Sequence, residues 1–203
     1  MKTASQIMQK KAGIKAELDR QLPAEQSDRI WRLAAKKLDQ ILQQYADIPE
    51  GEHMHTDRSI FPAAAIYLTA KAHMPAEQAY AVIENAAVAQ TAAIGRKLAK
   101  LMKLPFMPDL FVKAWAPMTK KMFGKSCGFE NRFYPKKKGE YRMDILACPY
   151  HKYFTLLGCP ELTKIFCDND ERTYGDLPGL RFDRNSTLGK GGSCCDFYIR
   201  RIK

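Results

Sequence analysis

The hydrophobic period of this chain changes once, near Gly124, and few architectures survive that constraint. Before Gly124, apolar residues recur at the three- and four-residue spacing of helices, and after it they alternate as on strands. Ile30, Trp31, Ala34, Leu38, Ile41, Leu42 and Tyr45 predict one helix, with Ser27 or Asp28 as its cap. The next segment, IPEGEHMHTDRS, reads as a loop. Pro62 opens a short helix through Ala72, and Pro75 opens a long one. The stripe of the long helix is Tyr80, Ile83, Ala87, Thr91, Ile94, Leu98 and Leu101, and Pro105 and Pro108 end it. A last helix over Asp109 to Phe123 gathers Leu110, Phe111, Ala114, Trp115, Met118 and Met122 on one side, with a kink or break expected at Pro117.

Beyond Gly124, Phe129–Tyr134 and Glu140–Ala147 read as strands around a PKKKG turn. Two short helices start from Pro149 and Pro160. Leu180–Thr187 and Ser193–Arg201 are two further strands joined by LGKGG. Helices followed by short strands predict an α+β fold, a helical N-terminal part packed on a small antiparallel sheet with an inserted helical pair. The expected division is a helical part, residues 1–125, and a cysteine-rich α+β part, residues 126–203, within one integrated domain. At 203 residues the chain can bury a core without disulfides or metals.

The N-terminus is basic but lacks an apolar stretch, so no secretory signal is expected. The longest apolar run, Phe61 to Ala70, is about half of the roughly 20 residues a membrane helix needs. A soluble cytoplasmic protein with no membrane partner is therefore expected, and its six cysteines should be reduced thiols. None precedes Cys127, and five lie between Cys148 and Cys195. The net charge of +11 is equally local. Arg96 to Arg142 holds 13 Lys and Arg against Asp109, Glu130 and Glu140, a net +10. A solvated helix face followed by a charged turn is the preferred reading, and weak nucleic-acid binding through residues 96–142 is an alternative. Against nucleic acid, Phe111 and Trp115 fall on the apolar stripe and leave no aromatics for base stacking.

The thiols suggest chemistry by their neighbours. Cys148-Pro149 and Cys159-Pro160 place a cysteine at each helix start, where free N–H groups favour a thiolate. Phe166-Cys167-Asp168-Asn169-Asp170 sets a thiol beside carboxylates, a nucleophile next to an acid/base partner. Such carboxylates raise a thiol pKa unless a cation is close, and Arg184 or His151 is the candidate. In LRFDRNST, Arg184 shares the interior face of Leu180 and Phe182, where it needs an anion such as Asp170 or Asp168. In SCCDFYIRR, Cys195, Phe197 and Ile199 face inward and Cys194 outward, while Cys127 has no partner motif. No standard zinc spacing is present. If a metal binds, its ligands come from Cys148, His151, Cys159, Cys167 and Cys195, with His53 and His55 reaching across the core. Otherwise no cofactor is expected.

The runs CPYHKYFTLLGCPELTKIFCDND and RFDRNSTLGKGGSCCDF resemble the L-2-amino-thiazoline-4-carboxylic acid hydrolase family. Cys148, Gly158, Pro160, Glu161 and Leu162, Cys167 with Asp170, Arg184 with Thr187, Gly189, and Cys195-Asp196-Phe197 carry the resemblance, over about 55 residues. It implies a hydrolase that opens a cyclic amidine thioether to an N-carbamoyl-cysteine, acting on a small-molecule carboxylate. The expected catalytic residues are Cys167, Asp170 and Cys195, with either a thiol or an activated water as nucleophile. Arg184, Thr187 and His151 are the expected substrate-binding residues, Arg184 as a carboxylate clamp. A pocket that binds a small acid without turnover is the competing reading. The oligomeric state is not legible.

Overall fold

The computed structural model describes residues 3–202. Three helices open the chain, α1 (Ala4–Gln9), α2 (Ala12–Gln21) and α3 (Ala24–Gln44). Ile30, Ala34, Leu38 and Ile41 of α3 are buried at the expected spacing. The helix starts at Ala24 behind Pro23, earlier than expected, so Ser27 and Asp28 do not cap it. Ser27 instead donates to Asp19 at 2.7 Å, and Asp28 pairs with Lys15 at 2.8 Å, tying α3 to α2.

The segment read as a loop is largely helical. A 3₁₀ turn, Glu50–Glu52, passes into α4 (His53–His55) and a π-helical turn, Thr56–Ile60, which runs into α5 (Phe61–Lys71). The wider π turn turns His55 and Thr56 inward, and both are buried. α6 (Ala76–Met102) buries Ala79, Val82, Ile83 and Thr91. The expected stripe fails at its end, because Ile94 and Leu101 are exposed. α7 (Met107–Met122) continues through Pro117, which lies on the exposed side where water can take the carbonyl it frees. Its buried face is Val112, Trp115, Ala116 and Thr119, and Leu110, Met118 and Met122 are exposed, contrary to the pattern read from sequence.

The sheet has four antiparallel strands, β1 (Glu130–Phe133), β2 (Glu140–Ala147), β3 (Leu180–Asp183) and β4 (Cys195–Arg201), in the order β1-β2-β4-β3. Helices α8 (Pro149–Leu156) and α9 (Leu162–Tyr174) are inserted between β2 and β3, as expected. The fold is α+β. β3 stops four residues short of Thr187, because the chain after Asp183 turns in toward α9. Asp196 fixes that turn, accepting from the backbone N–H of Ser186 at 2.7 Å and of Asn185 at 3.0 Å.

Two apolar clusters form the interior. One joins α1, α2, α3, α5 and α6 with Tyr153, Phe154, Leu162 and Ile165 of α8 and α9. The other packs α7 on the sheet through Trp115, Met143, Ile145, Leu180, Phe197 and Ile199. Tyr150 packs against both. No helix among the described residues is long and apolar enough to cross a membrane.

Candidate active site

Between α7, α9 and the sheet lies a cavity of about 210 Å³. Cys167 and Asp170, one helical turn apart on α9, face into it together. Cys195, the first residue of β4, reaches it from the sheet beside Ile145, its register partner on β2. Cys148 and Asn169 complete the polar part. The walls are aromatic, with Trp115, Phe123, Phe129, Tyr150, Phe166 and Tyr174 among them. Trp115 and Tyr174 meet edge to face at 4.7 Å.

The turn before β4 holds the thiols together. Leu188 donates its backbone N–H to Cys195 Sγ at 3.3 Å. Gly189 lies so close to α9 that a Cβ there would stand 2.9 Å from Cys167 Sγ and 3.0 Å from Thr163. Gly191, at φ +82°, closes the turn in the left-handed region. The thiol of Cys195 favours a thiolate at Cys167, and although burial opposes it, the Gly189 amide, the Thr187 hydroxyl and the Arg184 charge bring Cys167 down to about 6. Cys195 is pushed up, by its hydrogen bond to Cys167 and by burial, and stays a neutral thiol. Burial raises Asp170 to about 7, against the opposing charge of Arg184.

Arg184 stands behind this group, outside the cavity. Its side chain is 1% exposed and salt-bridged to Asp170 at 3.0 Å and Glu171 at 3.6 Å. Its other amino group donates to the Cys167 carbonyl at 2.6 Å. Phe182 and Phe197 flank the guanidinium, each 5.6 Å away. Lys190 holds Asp168 at 2.7 Å, so the second carboxylate of the segment is engaged away from the thiol.

The structure thus brings Cys167, Asp170 and Cys195 together, with Arg184 and Thr187 behind them. His151 is exposed on α8 and does not line the cavity. Cys159 belongs to the helical cluster, where burial raises it to about 12, so it has neither the expected activation nor the expected neighbours. Cys148 does stand at the N-cap of α8, but its side chain makes no capping hydrogen bond, and burial raises it to about 12. Of the five candidate metal ligands, Cys148, Cys167 and Cys195 line the cavity, while His151 and Cys159 lie outside it. Among the described residues no three His, Cys, Asp or Glu side chains are grouped to hold a metal ion.

Sequence reading missed the aromatic walls and His55. His55 is buried, and burial lowers its pKa, so the ring is neutral. It donates through Nε2 to the Met122 carbonyl at 2.6 Å, which leaves Nδ1 to accept from the Tyr150 hydroxyl at 3.2 Å. His55 therefore orients Tyr150, one wall of the cavity. Glu161 acts at a distance from the thiols, accepting from the Tyr67 hydroxyl at 2.5 Å and pairing with Lys71 at 3.4 Å, which ties the start of α9 to α5.

Comparison with known proteins agrees with the motif residues and extends beyond them. Residues 53–199 match the family model of L-2-amino-thiazoline-4-carboxylic acid hydrolase. Neither a curated protein nor a solved structure matches the chain. The match takes in α5–α9 and the whole sheet up to Ile199, every element that builds the cavity, and on that extent the chain belongs to the L-2-amino-thiazoline-4-carboxylic acid hydrolase family.

Proposed function

We propose that the cavity opens a small cyclic amidine by thiol-assisted hydrolysis. The observation that carries this is the convergence of Cys167, Cys195 and Asp170 on one aromatic-walled cavity, where the Cys167 thiol is brought down and the Asp170 carboxyl raised. Thiolate at Cys167 and neutral acid at Asp170 form a nucleophile and a proton donor that coexist near neutral pH. In the proposed sequence the Cys167 sulfur bonds to the amidine carbon, and the C=N electron pair takes a proton from Asp170 or Cys195. Collapse breaks the ring carbon–sulfur bond and releases the ring thiol. Water then adds to the same carbon, and the Cys167–carbon bond breaks to give the carbamoyl product and the free thiolate. One water is consumed.

The walls support a ring-shaped body for the substrate. No Lys, Arg or His lines the cavity, and Arg184 is engaged by Asp170, Glu171 and the Cys167 carbonyl. That geometry supports Arg184 and Thr187 as positioning residues rather than as a carboxylate clamp. It favours cyclic amidines with an uncharged substituent as strongly as L-2-amino-thiazoline-4-carboxylate itself.

The test is release of free thiol from L-2-amino-thiazoline-4-carboxylate, and from its uncharged analogues, by the purified chain. Cys167→Ser should lose on the order of 10³-fold or more. Full activity in Cys167→Ser would reject thiol chemistry. Saturable binding of these compounds with no turnover would favour a pocket that binds without reacting.

A further inference from the structure

The outer surface of α6 and α7 is apolar where an isolated solvated face would be polar. On α7, Leu110, Lys113, Ala114, Pro117, Met118 and Lys121 are all exposed, at the spacing of a single helical stripe. On the last turns of α6, Ile94, Lys97 and Leu101 form a second exposed stripe. The two meet at the turn between the helices, where Leu104 is 46% and Phe106 62% exposed. Phe106 is the most exposed large apolar side chain among the described residues.

The charges are arranged to match. Residues 94–122 carry seven Lys and Arg, all exposed, and a single acid, Asp109, which is held by Arg201 at 3.6 Å. Among the described residues none of those seven makes an ion pair. Six are lysines, whose long stems can lie along apolar surface while the ammonium stays in a polar layer.

We propose that this corner docks on an anionic lipid surface, with Leu104 and Phe106 entering the headgroup boundary and the surrounding lysines meeting the lipid charge. Charge decides among the occupants. A second copy seated face to face would oppose unpaired cations to unpaired cations, which is repulsive. A nucleic acid would satisfy the lysines and could stack a base on Phe106, but would leave Ile94, Leu101, Leu104 and Leu110 with nothing to pack on. A lipid surface takes both at once. This departs from the expectation of no membrane partner, which rested on the lack of a spanning segment, and a surface-lying corner needs none.

The test uses the full chain and co-sedimentation with vesicles of phosphatidylcholine alone or with about 30% phosphatidylserine. Binding is expected to the anionic vesicles only and to weaken with salt. The double variant Leu104→Ser/Phe106→Ser should weaken it about tenfold or more, and Lys100→Glu/Lys103→Glu by a similar factor, with circular dichroism unchanged. These positions are exposed and none lines the cavity, so thiol release should not change. Failure to bind anionic vesicles would overturn the proposal, as would binding indifferent to the serine variants. So would a dimer, or an RNA or DNA complex, that those variants abolish while vesicles stay unbound.

Discussion

At the residue scale, the site is a balance of two ionisations. Thiolate at Cys167 grows as pH rises through about 6, and neutral Asp170 disappears as pH rises through about 7. Turnover is therefore expected to be bell-shaped and narrow, with its maximum between those values, because the two groups titrate as a pair. Alkylation of Cys167 by iodoacetamide should follow the lower limb alone, and Cys195→Ala should move that midpoint upward by removing the largest stabiliser of the thiolate. Stability carries the opposite signs. Asp170, raised on folding, contributes stability at acid pH that is lost as pH rises through about 7. Cys167, depressed on folding, contributes stability at alkaline pH that is lost as pH falls through about 6. Urea titrations across pH should show wild type weakening from the ordinary carboxylate range to about 7, and Asp170→Asn should remove that slope. Gly189→Ala places a methyl against Cys167 Sγ and Thr163, and is expected to cost about 1–3 kcal/mol and to blunt alkylation of Cys167. The motif pointed to Cys167, Asp170 and Cys195 because spacing on a helix and alternation on a strand are written locally. It placed Cys148 at its helix start but missed the desolvation that raises it, and it misplaced Cys159, because α9 starts at Leu162 behind Glu161.

At the element scale, the strands and the inserted helical pair were legible because Pro149 and the alternation of Glu140–Ala147 leave few alternatives, and β2 has the expected bounds. The errors share one cause. The stripes of α6 and α7 were assigned by spacing alone, and tertiary packing chose a different face, leaving Leu101, Leu110, Met118 and Met122 outside. The 48–59 segment looked like a loop because its residues are polar, yet Glu52 and His55 are buried with partners far along the chain, Tyr153 and Met122. No local pattern announces such partners. Two polar links tie α9 to the chain beyond β3, the buried Arg184 with Asp170 and the Cys167 carbonyl, and Lys190 with Asp168. Arg184→Ala should lower stability by about 1–3 kcal/mol in urea denaturation, since it removes a buried guanidinium and leaves the Cys167 carbonyl without its donor. Arg184→Lys should not restore it, because an ammonium cannot span both acceptors.

At the scale of the whole molecule, the chain crosses between its two apolar clusters repeatedly, and α8 and α9 return to the helical cluster after β2 has been laid on the other. Tyr150 touches both clusters and is oriented by His55. Calorimetry should therefore show one cooperative transition in wild type, and Tyr150→Ala should broaden or split it by loosening the only aromatic shared by both. The strand order carries a consequence for how the protein is made. β4 is the last strand in chain order, yet it lies between β2 and β3 and brings Cys195 to the cavity. Until residues 195–201 have left the ribosome, β2 and β3 each hold a bare edge, the state in which strands recruit foreign partners. Helices α1–α5 can pack during synthesis from contacts already translated, whereas the thiol pair exists only after the last strand has been threaded between two that were waiting for it.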